Sequence, residues 1–233
     1  NFSDDNETLN GSYGYRWRKQ FDHDQLESVV DMLKRDPDSR RVVLQMWDAV
    51  HDLDSPSKDI PCNTNIYFKI RDNKLQMTVC NRSNDMIWGA YGANAVHMSV
   101  FQEYIAAALE LEMGPYYQIS DSFHIYLNKE WDKVKDIDGL DFYDRQYWNV
   151  TEYPEPHYPL VTEGQAHLFL KECETLIATV PPRRVSGNPE TVDIWPTIWG
   201  HGYKNTFFPD VMIPMIKAYL CHRKENMKTA TLI

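Results

Sequence analysis

The sequence predicts one α+β domain over residues 1–233, with helices and strands alternating irregularly. Three observations predict it. Two β-rich runs flank Arg71-Asp72-Asn73-Lys74 in the pattern of a hairpin. Two other stretches, near residues 24–36 and 93–113, carry apolar residues at helical spacing. No internal repeat, low-complexity tract or linker divides the chain.

Taken in order, "YGYRW" leads into "DQLESVVDMLKRDPDSRR", where Leu26, Val29, Val30 and Leu33 define a helix that Asp36-Pro37 ends. "RRVVLQMWD" reads as a strand, and "HDLDSPSKD", polar and proline-bearing, as a loop. "NTNIYFKIRDNKLQMTVCNRS" is the hairpin, with "NRSND" just after its second strand. "ANAVHMSVFQEYIAAALELEM" is the longest helical pattern, apolar on most sides and so expected to be central. Gly114-Pro115 should break it, and "YYQISDSFHIYL" returns as a strand. Beyond about residue 130 the pattern weakens. "EYPEPHYPLV" and "PPRRVSGNPETVDIWP" read as proline-rich connections, and "FFPDVMIPMIKAYLCHRKEN" as a helix from near Asp210 that Pro214 kinks.

The composition is that of a soluble globular protein: 42% hydrophobic, 25% charged. Aromatics reach 13%, which suits either a dense core or stacking sites for flat ligands. A formal charge of -10 argues against coating nucleic acid, so an anionic substrate needs locally clustered arginines. No apolar run is long enough to span a membrane, and no signal peptide is visible. The four cysteines lie far apart without a CxxC pair, which is neither a disulfide framework nor a zinc spacing. A reducing cytoplasm is the expected setting, and no metal is expected. The opening "NFSDDNETLNGS" lacks a methionine and reads as a chain missing some N-terminal residues.

Four stretches carry chemistry. "DPDSRR" sets Arg40 and Arg41 at a helix-to-strand junction, and Cys62 opens a β-run in "PCN". Arg82 and Ser83 follow in "NRSND", and "HIY" puts His124 and Tyr126 two residues apart on one face of a strand. If those strands are neighbours, their ends converge on one pocket. Three arginines and a serine would hold a phosphate, because the guanidinium fork matches its oxygens, and the same charges would favour a Cys62 thiolate. Each stretch alone is a weak signal.

Together, in order and spacing, they resemble the thymidylate synthase family. That family reads "YG…WR", "DPDSRR", "PC", "RSxD", a glycine, an asparagine and "HxY". Here these are Tyr13-Gly14 with Trp17-Arg18, residues 36–41, Pro61-Cys62, residues 82–85, Gly89, Asn94, and His124 with Tyr126. The resemblance spans residues 11–128 and implies an α+β fold on a large mixed sheet with packed helices. It also implies a homodimer joined through its sheets.

The resemblance makes Cys62 the nucleophile that adds to C6 of a pyrimidine and so activates C5, a role suited to a thiolate. Tyr13 then belongs to the proton-transfer network near C5. Arg82 and Ser83 bind the nucleotide phosphate in their own subunit, while Arg40 and Arg41 cross to the partner's site. His124 and Tyr126 bind the sugar hydroxyl, and Asp85, with Trp88 beside it, meets the folate. Methylenetetrahydrofolate is the implied cosubstrate. Asn94 reads the base: its amide can pair uracil O4 and N3–H, whereas the family's dCMP hydroxymethylases carry Asp there. Cys80, inside a strand, is expected to serve packing.

Several positions depart from the synthase pattern. Asn63 stands for the His after the nucleophile, Asn81 for the Gln before "RS", and Ser122 for the Asp before "HxY". "GAYGAN" replaces "GLPFN" with one extra residue, and an ungapped alignment would put Ala93 at the base-reading position. Phage nucleotide hydroxymethylases of the family also lack that His and carry Ser at the third position. Asn63 and Ser122 are compatible with an ordered water in the pocket. The family's catalytic Glu, a further phosphate-binding Arg and a Trp lie upstream of "YG", and its C-terminal closing residues have no match here.

The expected function is folate-dependent one-carbon transfer to C5 of dUMP, or of dCMP or CMP, as hydroxymethyl. Methyl transfer by a thymidylate synthase and an inactive nucleotide-binding homologue remain alternatives. A cysteine hydrolase leaves the arginines unexplained.

Overall fold

The computed structural model of the chain describes residues 9–127, 159–179, 202–205 and 207–216. Residues 1–158 and 159–233 form two compact units. In the first, α1 (Tyr13–Arg18) precedes α2 (Gln25–Arg35). Asp24 caps α2 by accepting from the Leu26 and Glu27 amides at 3.0 and 3.4 Å, donors that a first helical turn leaves open. Leu26, Val29 and Leu33 bury one face, and the helix stops at Arg35, ahead of Asp36-Pro37.

Strand β1 (Val43–Gln45) is shorter than "RRVVLQMWD" predicts. Asp48 cuts the extended run by accepting from the Val50 amide at 3.1 Å, which starts the helical turn α3 (Ala49–Asp52) that runs into the expected loop. The free edge of β1 is occupied by a side chain. Gln25 accepts from the Gln45 amide at 2.8 Å and donates to the Gln45 carbonyl at 2.9 Å, as a neighbouring strand would.

Strands β2 (Asn63–Arg71) and β3 (Lys74–Asp85) form the predicted hairpin, with Arg71 opposite Lys74. Asp72 and Asn73 take φ of 51° and 57°, the left-handed pair that a two-residue turn of matching twist needs. "NRSND" lies within β3 rather than after it, because β4 (Glu112–His124) pairs with β3 as far as Asp85. The sheet order is β1-β2-β3-β4, antiparallel except for the parallel β3–β4 pair. That parallel pair requires a crossover, supplied by α4 (Asn94–Ala108).

Helix α4 ends earlier than Gly114-Pro115. Leu109 caps it and Glu110 turns left-handed at φ 56°. Gly114 and Pro115 instead sit in β4 at a bulge, since Met113 pairs with Leu75 and Tyr116 with Met77, leaving both opposite Gln76. Buried Gln102 of α4 donates to the Leu75 and Gly114 carbonyls, at 2.8 and 3.0 Å, and so satisfies groups at the bulge. Strand β4 ends at His124, so Tyr126 lies just past it rather than on it.

One face of the sheet carries the core. The row Leu44–Ile66–Val79, each 0% exposed, packs in one cluster with Leu26, Val29 and Leu33 of α2 and Met98, Phe101 and Ile105 of α4. Trp17 of α1 stacks on Phe101 with ring centroids 4.3 Å apart. The other face is open: Val43, Tyr67 and Tyr117 line one cross-strand row and all three are exposed.

In the second unit α5 (Ala166–Thr179), which the sequence reading did not separate from its proline-rich surroundings, buries Phe169 beside Phe207 and Phe208. Buried Glu172 accepts from the Lys204 and Asn205 amides at 2.7 and 3.1 Å. A helical stretch begins at Phe207, ahead of the predicted Asp210, and passes Pro214. Residues 152–158 and 181–196 of the expected connections, and the helix beyond residue 216, lie outside the described residues. Among the described residues, no helix is long and apolar enough to cross a membrane.

Candidate active site

Three segments meet at the Cys62 end of the sheet. The lead into α1 is tied to the lead into β2: the Gly11 amide donates to Asp59 at 2.7 Å, and Asn10 donates to Ser57 at 2.9 Å. Arg16 fastens α1 from beneath. Its guanidinium holds Asp52 through two bonds of 2.6 and 2.8 Å, with both side chains almost fully buried, and reaches the Met46 and Asn10 carbonyls as well. Tyr13 is thereby brought to Cys62 and Asn63. Its phenol is pushed up to about 12, chiefly by burial and next by the Cys62 charge, against a hydrogen bond from the Asn63 backbone. A phenol held protonated beside a thiol can deliver or relay a proton.

The third segment is the end of β3. The Arg82 amide donates to the Cys62 carbonyl at 2.9 Å. The Arg82 side chain donates to the carbonyls of Pro61 and Ile60, both at 3.1 Å, and its guanidinium carbon lies 5.6 Å from the Trp47 ring centre. It thus shapes the strand entry that presents half-buried Cys62 while part of its fork stays open to an anion. Cys80 differs: it sits mid-strand opposite Asn65, and burial raises its thiol pKa.

Arg40 and Arg41 are not part of this cluster in their own chain. They precede β1, and the antiparallel register pairs Val43 with Tyr67 and Gln45 with Asn65. The arginines therefore flank the hairpin end of β2, roughly 20 Å along the strand from Cys62. Of the three predicted arginines only Arg82 adjoins Cys62, because antiparallel pairing sends the start of β1 the other way.

Next to Cys62 the apolar core row gives way to buried amides. Asn63 and Asn81, 0% and 3% exposed, face each other across β2 and β3, with Asn63 Nδ2 donating to Asn81 Oδ1. Asn81 Nδ2 donates onward to the Ile119 carbonyl at 3.3 Å, which leaves Asn63 Oδ1 buried without a partner. Asn84, 1% exposed, donates to Gln118 Oε1 and Ser120 Oγ, both at 3.0 Å, and accepts from Asn94 Nδ2 at 3.3 Å. Gly89 closes against this amide, for a Cβ there would lie 2.1 Å from Asn84 Oδ1. Asn84, Gln118 and Ser120 escaped the sequence reading, although polar residues at inward strand positions were a signal.

The stretch Met86–Ala93 winds as a π-helix with a break at Gly92, where a Cβ would meet the Ile87 carbonyl at 2.2 Å. A π-turn holds one residue more than an α-turn, so the extra residue of "GAYGAN" is taken up before α4 begins. Asn94 then points inward to Asn84 while Ala93 is exposed. Asp85 caps this π-helix through the Trp88 amide, and its second oxygen, Oδ2, is buried and unpartnered. Trp88 and Tyr91 stand exposed nearby in sequence. At the β4 end, Ser83 pairs with Ser122 and Asp85 with His124. The His124 and Tyr126 rings meet edge to face at 5.0 Å, so the two stay together although only the first is in the strand.

The thymidylate synthase family profile matches residues 1–138. The chain belongs to the thymidylate synthase family. A deoxyuridylate hydroxymethyltransferase of Pseudomonas phage M6 is 40% identical over 226 residues, covering 97% of this chain and 60% of that protein. One from Bacillus phage SP01 is 40% identical over 144 residues, covering 57% of this chain and 38% of the relative. The chain thus spans less than two thirds of either relative. Among solved structures, a thermostable thymidylate synthase A from Bacillus subtilis aligns with a TM-score of 0.49 at 27% identity, covering 57% of this chain and 49% of the other. Members of the thymidylate synthase family act on pyrimidine nucleoside monophosphates with a folate cosubstrate.

Proposed function

We propose that the protein transfers a one-carbon unit to C5 of dUMP as hydroxymethyl, using methylenetetrahydrofolate and a covalent Cys62 adduct. One observation carries the reading: Tyr13 and Arg82 come together at Cys62, and β3, which brings Arg82 there, goes on to hold the Asn94 amide through Asn84. The names of the phage relatives support the hydroxymethyl product and the uracil base. Alignment of 97% of the chain with the first supports reading residues 1–233 as one domain of the family.

Cys62 Sγ adds to C6, and the negative charge reaches C5, which bonds the incoming carbon. Loss of the C5 proton, with cleavage of the bond from the new carbon to the folate nitrogen and departure of tetrahydrofolate, leaves an exocyclic methylene. Water adds to it, and Cys62 departs. The folate supplies the carbon at the formaldehyde level, so no net oxidation or reduction accompanies this outcome. Arg82 and Ser83 hold the phosphate, His124 and Tyr126 the sugar hydroxyl, and Tyr13 manages protons near C5. Asn63 and Ser122 take the water side of the pocket. The pterin fits Asp85, whose unpartnered buried oxygen can accept from ring N–H groups, with Trp88 as a flat neighbour. A second copy would cover the open sheet face and bring Arg40 and Arg41 to its partner's phosphate. A cytoplasmic setting fits the free Cys62, Cys80 and Cys173.

The test is release of tritium from C5 of labelled dUMP or dCMP by the full-length protein with methylenetetrahydrofolate. Release lost in Cys62→Ala and kept in Cys80→Ala supports the reading. Binding of nucleotide without any release makes the protein a binding homologue instead.

A further inference from the structure

The reading of Asn94 as the residue that meets the base leaves a question of symmetry. Uracil offers an acceptor at O4 and a donor at N3, and cytosine offers the reverse, a donor at N4 and an acceptor at N3. A side-chain amide has one donor end and one acceptor end of nearly equal shape, so a half-turn about its last bond pairs it with the other base. An asparagine that can rotate therefore recognises both. Selectivity requires that something hold one orientation.

We propose that Asn84 and Gln118 are the positioning residues that set base selectivity, by fixing which end of the Asn94 amide faces the nucleotide. The proposal rests on the pyrimidine-nucleotide reading above. The direction of the chain of bonds is imposed at its far end. The Ala90 carbonyl can only accept, and Gln118 Nε2 donates to it at 3.0 Å. Gln118 must then present Oε1 to Asn84, which donates to it at 3.0 Å. Asn84 uses the same Nδ2 for Ser120 Oγ at 3.0 Å, and so must turn Oδ1 toward Asn94. Asn94 answers with Nδ2, at 3.3 Å. A half-turn of Asn94 would bring two carbonyl oxygens together beside Asn84, which is 1% exposed and so beyond the help of water. Gly89 permits this placement, because its missing Cβ is the space Asn84 Oδ1 occupies.

Binding of dUMP and dCMP to the full-length protein, measured by calorimetry without folate, tests this apart from the chemistry. Wild type should prefer dUMP. Gln118→Leu removes the one-way anchor, so Asn84 and Asn94 can turn together, and the Kd ratio should fall by roughly tenfold or more, mainly through tighter dCMP binding. Gln118→Glu also loses the bond to Ala90 but still offers only acceptors to Asn84, so it should keep the wild-type ratio. A merely structural role would move the two variants alike. Should Gln118→Leu fail to fold, Asn84→Ala frees Asn94 by the same logic and predicts the same fall. An unchanged ratio in the folded variant, or an equal fall in Gln118→Glu, overturns the proposal while leaving the enzyme reading intact. A wild type that binds neither nucleotide overturns both.

Discussion

Asn63 and Asn81 form a buried cross-strand pair, and they occupy the two positions where the thymidylate synthase pattern has His and Gln. The two departures are therefore one structural change. The Ile119 carbonyl fixes the direction of Asn81, and Asn81 fixes that of Asn63. Asn63 Oδ1 is left over, buried and unpaired beside Cys62. Each single exchange, Asn63→Leu or Asn81→Leu, strands a buried partner and should cost about 1–3 kcal/mol. The double exchange should cost clearly less than the sum. Urea unfolding midpoints of the four proteins measure the coupling, and strict additivity would mean the pair is not formed.

This pair also marks where sequence was legible and where it was not. Helix α2, the 71–74 turn and the Cys62 strand entry rest on local signals, namely a cap, a left-handed pair and a β-branched run. Asn63 and Asn81 were each visible as departures, but their pairing depends on strand register, which one sequence does not state. The same holds for Arg40 and Arg41, whose neighbours follow from the antiparallel direction of β1. Gly114-Pro115 misled because punctuation that ends a helix also marks a bulge, and Glu110 had already ended the helix.

The Arg16–Asp52 pair holds the base of the site. Both side chains are nearly fully buried and bonded in fork geometry, so removing one partner strands a charge. Asp52→Ala should cost about 3–5 kcal/mol by chemical denaturation. It should also weaken nucleotide binding, because α1 carries Tyr13. A loss under 1 kcal/mol would show that solvent reaches the pair after all.

Tyr13 gives a pH signature. In the unfolded chain its phenol ionises near the ordinary 10.0, and in the fold not until about 12. Between those values the folded state holds the proton that the unfolded state has lost. This contribution is complete below pH 10 and is lost as pH rises toward 12. Thermal unfolding at pH 9 and pH 11 should therefore show a smaller drop for Tyr13→Phe than for wild type. Tyr116 and Tyr203, also raised by burial, remain in both proteins and cancel from the comparison.

If Arg40 and Arg41 serve a partner's phosphate, inactive variants should complement each other. In a mixed dimer of Arg41→Ala and Cys62→Ala, one site takes Cys62 from the first chain and Arg41 from the second, and contains neither lesion. Subunit exchange should restore tritium release. No recovery would place the arginines in a role within their own chain, which the strand register makes hard to reach.

The product separates the two chemistries of the family. Methyl transfer oxidises the folate, so dihydrofolate absorbance would rise in step with product, whereas hydroxymethyl transfer leaves the folate reduced. The expected trace is flat while tritium leaves C5, because Asn63 and Ser122 both depart from the synthase pattern and Ser122 agrees with the hydroxymethylase one. A one-for-one dihydrofolate signal would make the protein a thymidylate synthase. The base follows from Asn94 by the same kind of accounting. Asn94→Asp replaces the donor that meets O4 with an acceptor that suits an amino group, so preference should shift toward dCMP. A carboxylate cannot donate to Asn84 as the Asn94 amide does, yet Asn84 still presents Oδ1 to it. Two acceptors then face each other in a half-buried site, at a cost of about 1–3 kcal/mol. The exchange should accordingly change the ratio of the two substrates more than it raises the absolute rate on dCMP. Adding the donor back through Asn84→Ser should recover part of that rate.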